Sequence, residues 1–206
     1  MKIVVNDQLL TNLSAPITFG ELFSMIVAKP EFRTSVICRL CLDGAERELP
    51  NYDQPVPSAD LAGEEISITM EDVTEVLRRT IHDGVEFLRL MREETNICVE
   101  LFRSSQAAKA NQTLWQVLEK VQMFLNYVKE LVQFLATVSE DRQDLAQIEQ
   151  LNDRVFHLIK SLLAAQEGHD FVYIADLLEF ELAPLLAEWQ TFLAALIEPA
   201  GAGEKA

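Results

Sequence analysis

The sequence predicts an α+β protein in which a small module of strands and one helix precedes a long helical module. Up to about Met70 apolar and polar residues alternate, which is the period of a half-buried strand. From there almost to Ile197 the apolar residues recur every three or four positions, which is the period of an amphipathic helix. We therefore predict a first domain over residues 1–70, a helical domain over 71–198 and a disordered tail over 199–206.

The first module begins with a predicted hairpin. Its strands run from Lys2 to Asn6 and from Gln8 to Thr11, and Asn6-Asp7 tolerates the backbone angles of a tight turn. One amphipathic helix follows and ends before Pro30, because proline cannot continue a helix. Its apolar positions are Phe19, Leu22, Phe23, Ile26 and Val27.

Three further strands complete the first module. The stretch from Ser35 to Leu42 alternates, and Asp43-Gly44 turns the chain into a strand from Ala45 to Leu49. A last strand runs from Glu65 to Met70. The residues predicted to face the core are Val36, Cys38, Leu40 and Leu42 on the first of these strands, and Ile66, Ile68 and Met70 on the last.

The order strand, strand, helix, strand, strand, strand resembles the ubiquitin-like β-grasp fold, in which one helix packs across a mixed sheet. The resemblance covers residues 1–70 and rests on the order of the elements. Members of that superfold that act as conjugated modifiers or sulfur carriers end in Gly-Gly, whereas this module continues into Glu71 and Asp72. The resemblance therefore implies a docking or scaffold role.

Four long helices are predicted in the second module. They run from Glu71 to about Phe102, from Thr113 to Ser139, from Asp141 to Gln166 and from His169 to about Ile197. Because the polar turns between them are short, neighbouring helices run antiparallel, and the predicted architecture is an antiparallel up-and-down four-helix bundle. Gly84 inside the first apolar stripe predicts the close approach of a neighbouring helix, and Pro184 predicts a kink in the fourth helix.

Charge and composition restrict the possible partners and locations. The net charge of -16, from 17 basic and 33 acidic residues, repels phosphate backbones, so we expect no nucleic-acid partner. The N-terminus does not resemble a signal peptide, and no run of about 18 apolar residues is free of charge. We expect no membrane partner, a cytoplasmic location and three free cysteine thiols in a reducing compartment.

No catalytic, cofactor-binding or metal-binding set is predicted. Cys38 and Cys41 are three apart on a strand, so we expect them on opposite faces, and no Glu-x-x-His pair suits a di-iron site. Glu94 and Glu181 lie near inward stripes and would need partners if buried. Arg92 and Lys160 are the partners proposed for them. No small-molecule substrate is evident, and we predict that the chain is not an enzyme.

Two lines of apolar residues fall outside the inward stripes of their helices. They are Met123, Tyr127 and Phe134 on the second helix of this module, and Tyr173, Leu177 and Phe180 on the fourth. These lines either pack against the first module or form contacts with another protein, in a homodimer or in a groove for a partner's helix. The predicted function is that of a protein-interaction or scaffold protein. The alternatives are an export or assembly chaperone of the secretion or flagellar type, and a ligand- or metal-binding enzyme with its site between the modules.

Overall fold

The computed structural model describes residues 2–10, 19–48, 65–138 and 143–197. The predicted tail over 199–206 lies outside these ranges. The chain divides into two compact units, Met1–Arg79 and Thr80–Ala206. The residues just after position 70 belong to the first unit, because the Val73 N–H donates to the Thr34 carbonyl at 2.8 Å and Arg79 pairs with Glu71 at 2.7 Å.

The first unit contains strands and one complete helix, so the α+β class is confirmed, as is the predicted order of its elements. The bounds are β1 Lys2–Val5, β2 Gln8–Leu9, α1 Phe19–Val27, a 3₁₀ turn Pro30–Phe32, β3 Ser35–Leu42, β4 Ala45–Arg47 and β5 Glu65–Asp72. Both hairpin turns use positive φ: 48° and 64° at Asn6 and Asp7, and 49° and 78° at Asp43 and Gly44. These angles are typical of type I′ turns, and they lie at the two positions where the sequence predicted hairpin turns.

The strands form one mixed sheet in the order β2-β1-β5-β3-β4. The β1 and β5 strands pair in parallel, and the other neighbours are antiparallel. The Asn6 side-chain amide extends this pairing beyond the end of β1. Its Nδ2 donates to the Met70 carbonyl at 3.0 Å, and its Oδ1 accepts the Met70 N–H at 2.8 Å. The buried core comprises Ile3, Val5, Phe19, Leu22, Ile26, Phe32, Ile37, Leu40, Ile66, Ile68 and Met70.

The predicted inward face of β3 is wrong in its first half. The pairing of β3 with β5 shifts between Ile37 and Arg39, so Cys38 is an extra residue in a β-bulge. A bulge reverses the alternation, and Ile37 is buried while Val36 and Cys38 are only half-buried. The expectation that Cys38 and Cys41 lie on opposite faces therefore fails. Residues three apart on a strand are about 10 Å apart, too far for a disulfide, and both thiols are free.

The helical elements follow directly from β5. They are α2 Val73–Arg103, α3 Ala107–Val138, α4 Gln143–Glu167, α5 Phe171–Leu177, a π-helical turn Leu178–Leu182 and α6 Ala183–Ile197. The α3 helix begins six residues before the predicted Thr113, because Ala107, Ala108 and Ala110 favour helix without forming an apolar stripe. The predicted fourth helix contains the π turn just before Pro184, where the Ala183 N–H bonds to the Leu178 carbonyl.

Side-chain contacts connect the helices of the second unit. The Tyr127 hydroxyl joins α3 to α2, and Gln166 Nε2 of α4 donates to Asn111 Oδ1 of α3 at 3.1 Å. Arg154 of α4 pairs with Glu188 of α6, and Arg92 of α2 donates to Gln190 of α6 at 3.0 Å. Trp189 is fully buried and meets the edge of Phe124, with ring centroids 5.2 Å apart.

Candidate protein-interaction surface

Three of the six predicted contact residues are exposed. Met123 on α3 is 57% exposed, and Phe180 in the π turn is 64% exposed. Tyr173 on α5 is exposed to a similar degree. Phe134 is half-buried. Met123, Tyr173 and Phe180 are therefore accessible to another molecule, whereas Tyr127 and Leu177 pack within the second unit.

Tyr127 is anchored inside the second unit. Its hydroxyl donates to the Thr80 carbonyl at 3.1 Å, and its ring stacks on Phe124 with centroids 5.9 Å apart. Burial, and to a lesser extent the charge of Asp83, raises the pKa of Tyr127 to about 12. The ring lies directly over Gly84, which confirms the predicted close approach at that glycine.

Leu177 is the clear correction to the predicted contact lines. Its side chain is 1% exposed, and its neighbours Ile174 and Leu178 are fully buried. The assignment failed because the buried residues Ile174, Ala175 and Leu177 span about 160° of α5 at 3.6 residues per turn, so its inward stripe is wider than a single line of residues. Leu177 belongs to the core and not to a contact surface.

The predicted acidic candidates do not form a site. Glu94 pairs with Lys120 of α3 and not with Arg92, and Glu181 is exposed. His82, His157 and His169 are exposed as well. Within the described ranges, no three His, Cys, Asp or Glu side chains are grouped so that they could hold a metal ion. Burial, together with Glu94, raises the pKa of the Cys98 thiol to about 12, so this cysteine is a neutral core residue.

A groove between α3 and α4 was not identified from the sequence. It has a volume of about 820 Å³. The apolar residues along its walls are Leu118, Leu125 and Val132 of α3, and Leu145, Phe156 and Ile159 of α4, with Val128 and Ile148 at its floor. We refer to these residues as the α3/α4 groove.

The groove was missed because its walls resemble core positions. The helical period predicts Leu118, Leu125 and Val132 in the inward stripe of this helix, yet each is half-buried at the edge of that stripe. Their spacing of seven residues could have indicated the groove, because residues at a contact between helices recur every seven residues. Trp115, which is 72% exposed, and Leu163 continue the two walls one turn further by helical spacing.

One segment has the length and composition of a membrane-spanning helix. It runs from Phe171 to Ile197 with a mean hydropathy of 1.3. A core helix of a water-soluble bundle passes the same test, and this segment carries buried residues such as Leu182, Leu186 and Trp189. Length and composition alone are therefore weak support for a membrane span.

Comparison with known proteins assigns a family but no activity. No curated protein and no solved structure matches the chain significantly. One family model, described as a domain of unknown function, matches residues 75–192, which is 118 of the 206 residues. The match begins near the start of α2 and ends within α6, so it covers the helices and leaves the sheet unmatched. The chain belongs to the family of the domain of unknown function DUF8042.

Proposed function

We propose that this chain is a protein-interaction or scaffold protein without catalytic activity, built from a β-grasp module and an antiparallel four-helix bundle. The sheet order β2-β1-β5-β3-β4, with a parallel central pair and one helix, supports the β-grasp assignment. The contacts that join α2 to α3, α3 to α4, α4 to α6 and α6 to α2 support the bundle.

The observation that carries this function is the distribution of exposed apolar side chains. Of the ten large apolar residues that are exposed in the described ranges, nine lie on the helices between Leu90 and Phe180. Scattered single residues of this kind are ordinary, but a concentration on one unit is typical of a contact surface. The nine include Trp115, Met123, Phe156 and Phe180. Aromatic residues and methionine are enriched at protein interfaces.

The charge of the chain favours protein partners over nucleic acid. A net charge of -16 opposes binding to phosphate backbones and suits a soluble protein in the cytoplasm. A partner would carry basic residues around an apolar centre, because such a rim complements the acidic surface.

The proposal is tested by capturing partners from the native host with the tagged full chain. We compare the wild type with Phe180→Ser and with Glu181→Ser, a neighbouring exposed polar position. Phe180→Ser removes an apolar anchor and should reduce the amount of captured partner at least about tenfold. Glu181→Ser should leave that amount unchanged.

Trp115→Ser and Met123→Ser extend this test to the other exposed positions. If no protein is enriched by the wild type over the tag alone, and light scattering gives a monomer for every variant, the proposed function is wrong. If the partner is a secreted or appendage subunit, the function is that of an export chaperone.

A further inference from the structure

We propose that the α3/α4 groove binds the same groove of a second copy of this chain. This inference rests on the proposed function and specifies one of its surfaces and the occupant. The groove is apolar along both walls and is the largest of the described cavities. Its shape suits an elongated apolar object such as a helix pair.

The charges that line the groove, unlike those on the rest of the surface, favour a second copy of this chain as its occupant. Two copies with a net charge of -16 repel each other over most of their surfaces. Among the fourteen residues that line the groove, only Lys129 and Glu149 are charged. Neither forms an ion pair with another described residue. Among the residues that the structure describes, the groove is therefore a neutral area with one charge of each sign that has no ion-pair partner.

The positions of these two charges along the helices can be derived from one hydrogen bond. Asn111 and Gln166 contact each other near the start of α3 and the end of α4, so the two helices run antiparallel. Lys129 lies about 27 Å along α3 from that contact, and Glu149 lies about 26 Å back along α4, at 1.5 Å per residue. The two charges are at nearly the same height on opposite walls.

This arrangement is self-complementary under two-fold symmetry. A two-fold axis along the groove and parallel to the helices places α3 of one copy on α4 of the other without changing the height. Lys129 of each copy then lies opposite Glu149 of the other, so one dimer contains two such ion pairs. The apolar walls of the two copies meet between them.

The available area predicts a weak, reversible dimer. From Trp115 to Val132 the wall extends about 26 Å, and two adjacent helices are about 20 Å wide, which gives about 500 Å² per copy. The total of about 1,000 Å² is near the lower limit for a specific interface. We expect a dissociation constant in the micromolar range.

Sedimentation equilibrium of the full chain between about 1 and 200 µM tests the proposal. Lys129→Glu places two repulsive pairs in each dimer and should weaken it at least about tenfold, and Glu149→Lys should do the same. Lys109→Glu is the matched control. It makes the same change of charge on α3 at an exposed position half a turn around the helix from Leu118, and should leave the dimer unchanged.

Mixing the two weakened variants gives the decisive result. Lys129→Glu and Glu149→Lys, each weakly associating alone, should form a heterodimer of wild-type strength, because each position then faces an opposite charge again: one ion pair keeps its wild-type polarity and the other has it reversed. A wild type that stays monomeric to about 200 µM overturns the proposal. A dimer that is unaffected by either substitution, or a mixture that does not associate, overturns it as well. A monomer that still captures a partner through Phe180 leaves the proposed function intact.

Discussion

Individual side chains show how closely the helices of the second unit approach each other. Gly84 of α2 faces the ring of Tyr127, so that an added Cβ would lie 2.6 Å from the hydroxyl oxygen and 2.7 Å from Cζ. The same hydroxyl donates to the Thr80 carbonyl and holds the ring in place. A residue with one apolar ring and one hydrogen bond thus sets the spacing between α2 and α3.

Gly84→Ala should destabilise the protein by about 1 to 2 kcal/mol, although alanine is the better helix former by about 1 kcal/mol. The methyl group displaces the ring and breaks its hydrogen bond, which costs about 1 kcal/mol in addition to the packing loss. Urea unfolding followed by helical circular dichroism measures the change. In a Tyr127→Leu background the sign should reverse, since the obstructing ring is gone. Destabilisation of equal size in both backgrounds would contradict this explanation.

The Tyr127 hydroxyl also predicts a loss of stability in alkali. Its pKa is about 12 in the fold against 10 for the free side chain, so the fold favours the neutral form. The contribution of this hydroxyl to the free energy of unfolding is constant below pH 10. It is lost as the pH rises from 10 towards 12, and the loss is about 2 kcal/mol in all. Tyr127→Phe should remove this part of the pH dependence in urea unfolding, whereas Tyr173→Phe should not. Identical profiles for all three proteins would contradict the assignment.

At the scale of the element, two helix ends share a strained geometry. Ser105 and His169 follow α2 and α4 with φ of 59° and 55°. In both, the next N–H bonds to the carbonyl five residues earlier, from Gln106 to Leu101 at 3.0 Å and from Asp170 to Ala165 at 2.9 Å. This is the Schellman pattern, in which glycine is the preferred residue. The chain has a glycine at position 168, but the left-handed position is His169, one residue later.

Ser105→Gly and His169→Gly should each stabilise the protein by about 0.5 to 1 kcal/mol, because a left-handed non-glycine residue costs about 1 kcal/mol. Ser104→Gly, next to the strained position but with negative φ, serves as the control and should bring no gain. The free energy of unfolding in urea measures all three. A gain from Ser104→Gly equal to that from Ser105→Gly would show that left-handed strain is not the cause.

Structural features could be predicted from the sequence where a single local residue pattern determines them. The positions of the hairpin turns at Asn6-Asp7 and Asp43-Gly44 were predicted correctly because only a few residue types tolerate positive φ. The bulge at Cys38 was not predicted, because one extra residue in a strand does not change the composition of the sequence. The α3/α4 groove was not predicted for a different reason. Periodicity places Leu125 on the apolar side of its helix but does not determine how far the neighbouring helix covers it.

For the whole molecule, the net charge of -16 governs how two copies approach. At about 10 mM salt the screening length is about 30 Å, so two copies repel across their full surfaces. At about 150 mM it is about 8 Å, and the repulsion falls more than the attraction between opposed charges in contact. We therefore expect the self-association constant to rise several-fold between these conditions, measured by sedimentation equilibrium. Weaker association at the higher salt concentration would mean that attractive charge pairs dominate.

The α3 helix contacts other groups on three sides. Val117, Val121 and Phe124 point into the buried core, Tyr127 packs on Gly84, and Leu118 and Leu125 line the groove. These three sets of positions are therefore each constrained by a different contact. In a scan of all single substitutions, they should tolerate fewer changes than the exposed Lys109 of the same helix. On α2 the positions Glu86, Arg89 and Glu93, which pair with one another at the surface, should tolerate changes as freely as Lys109.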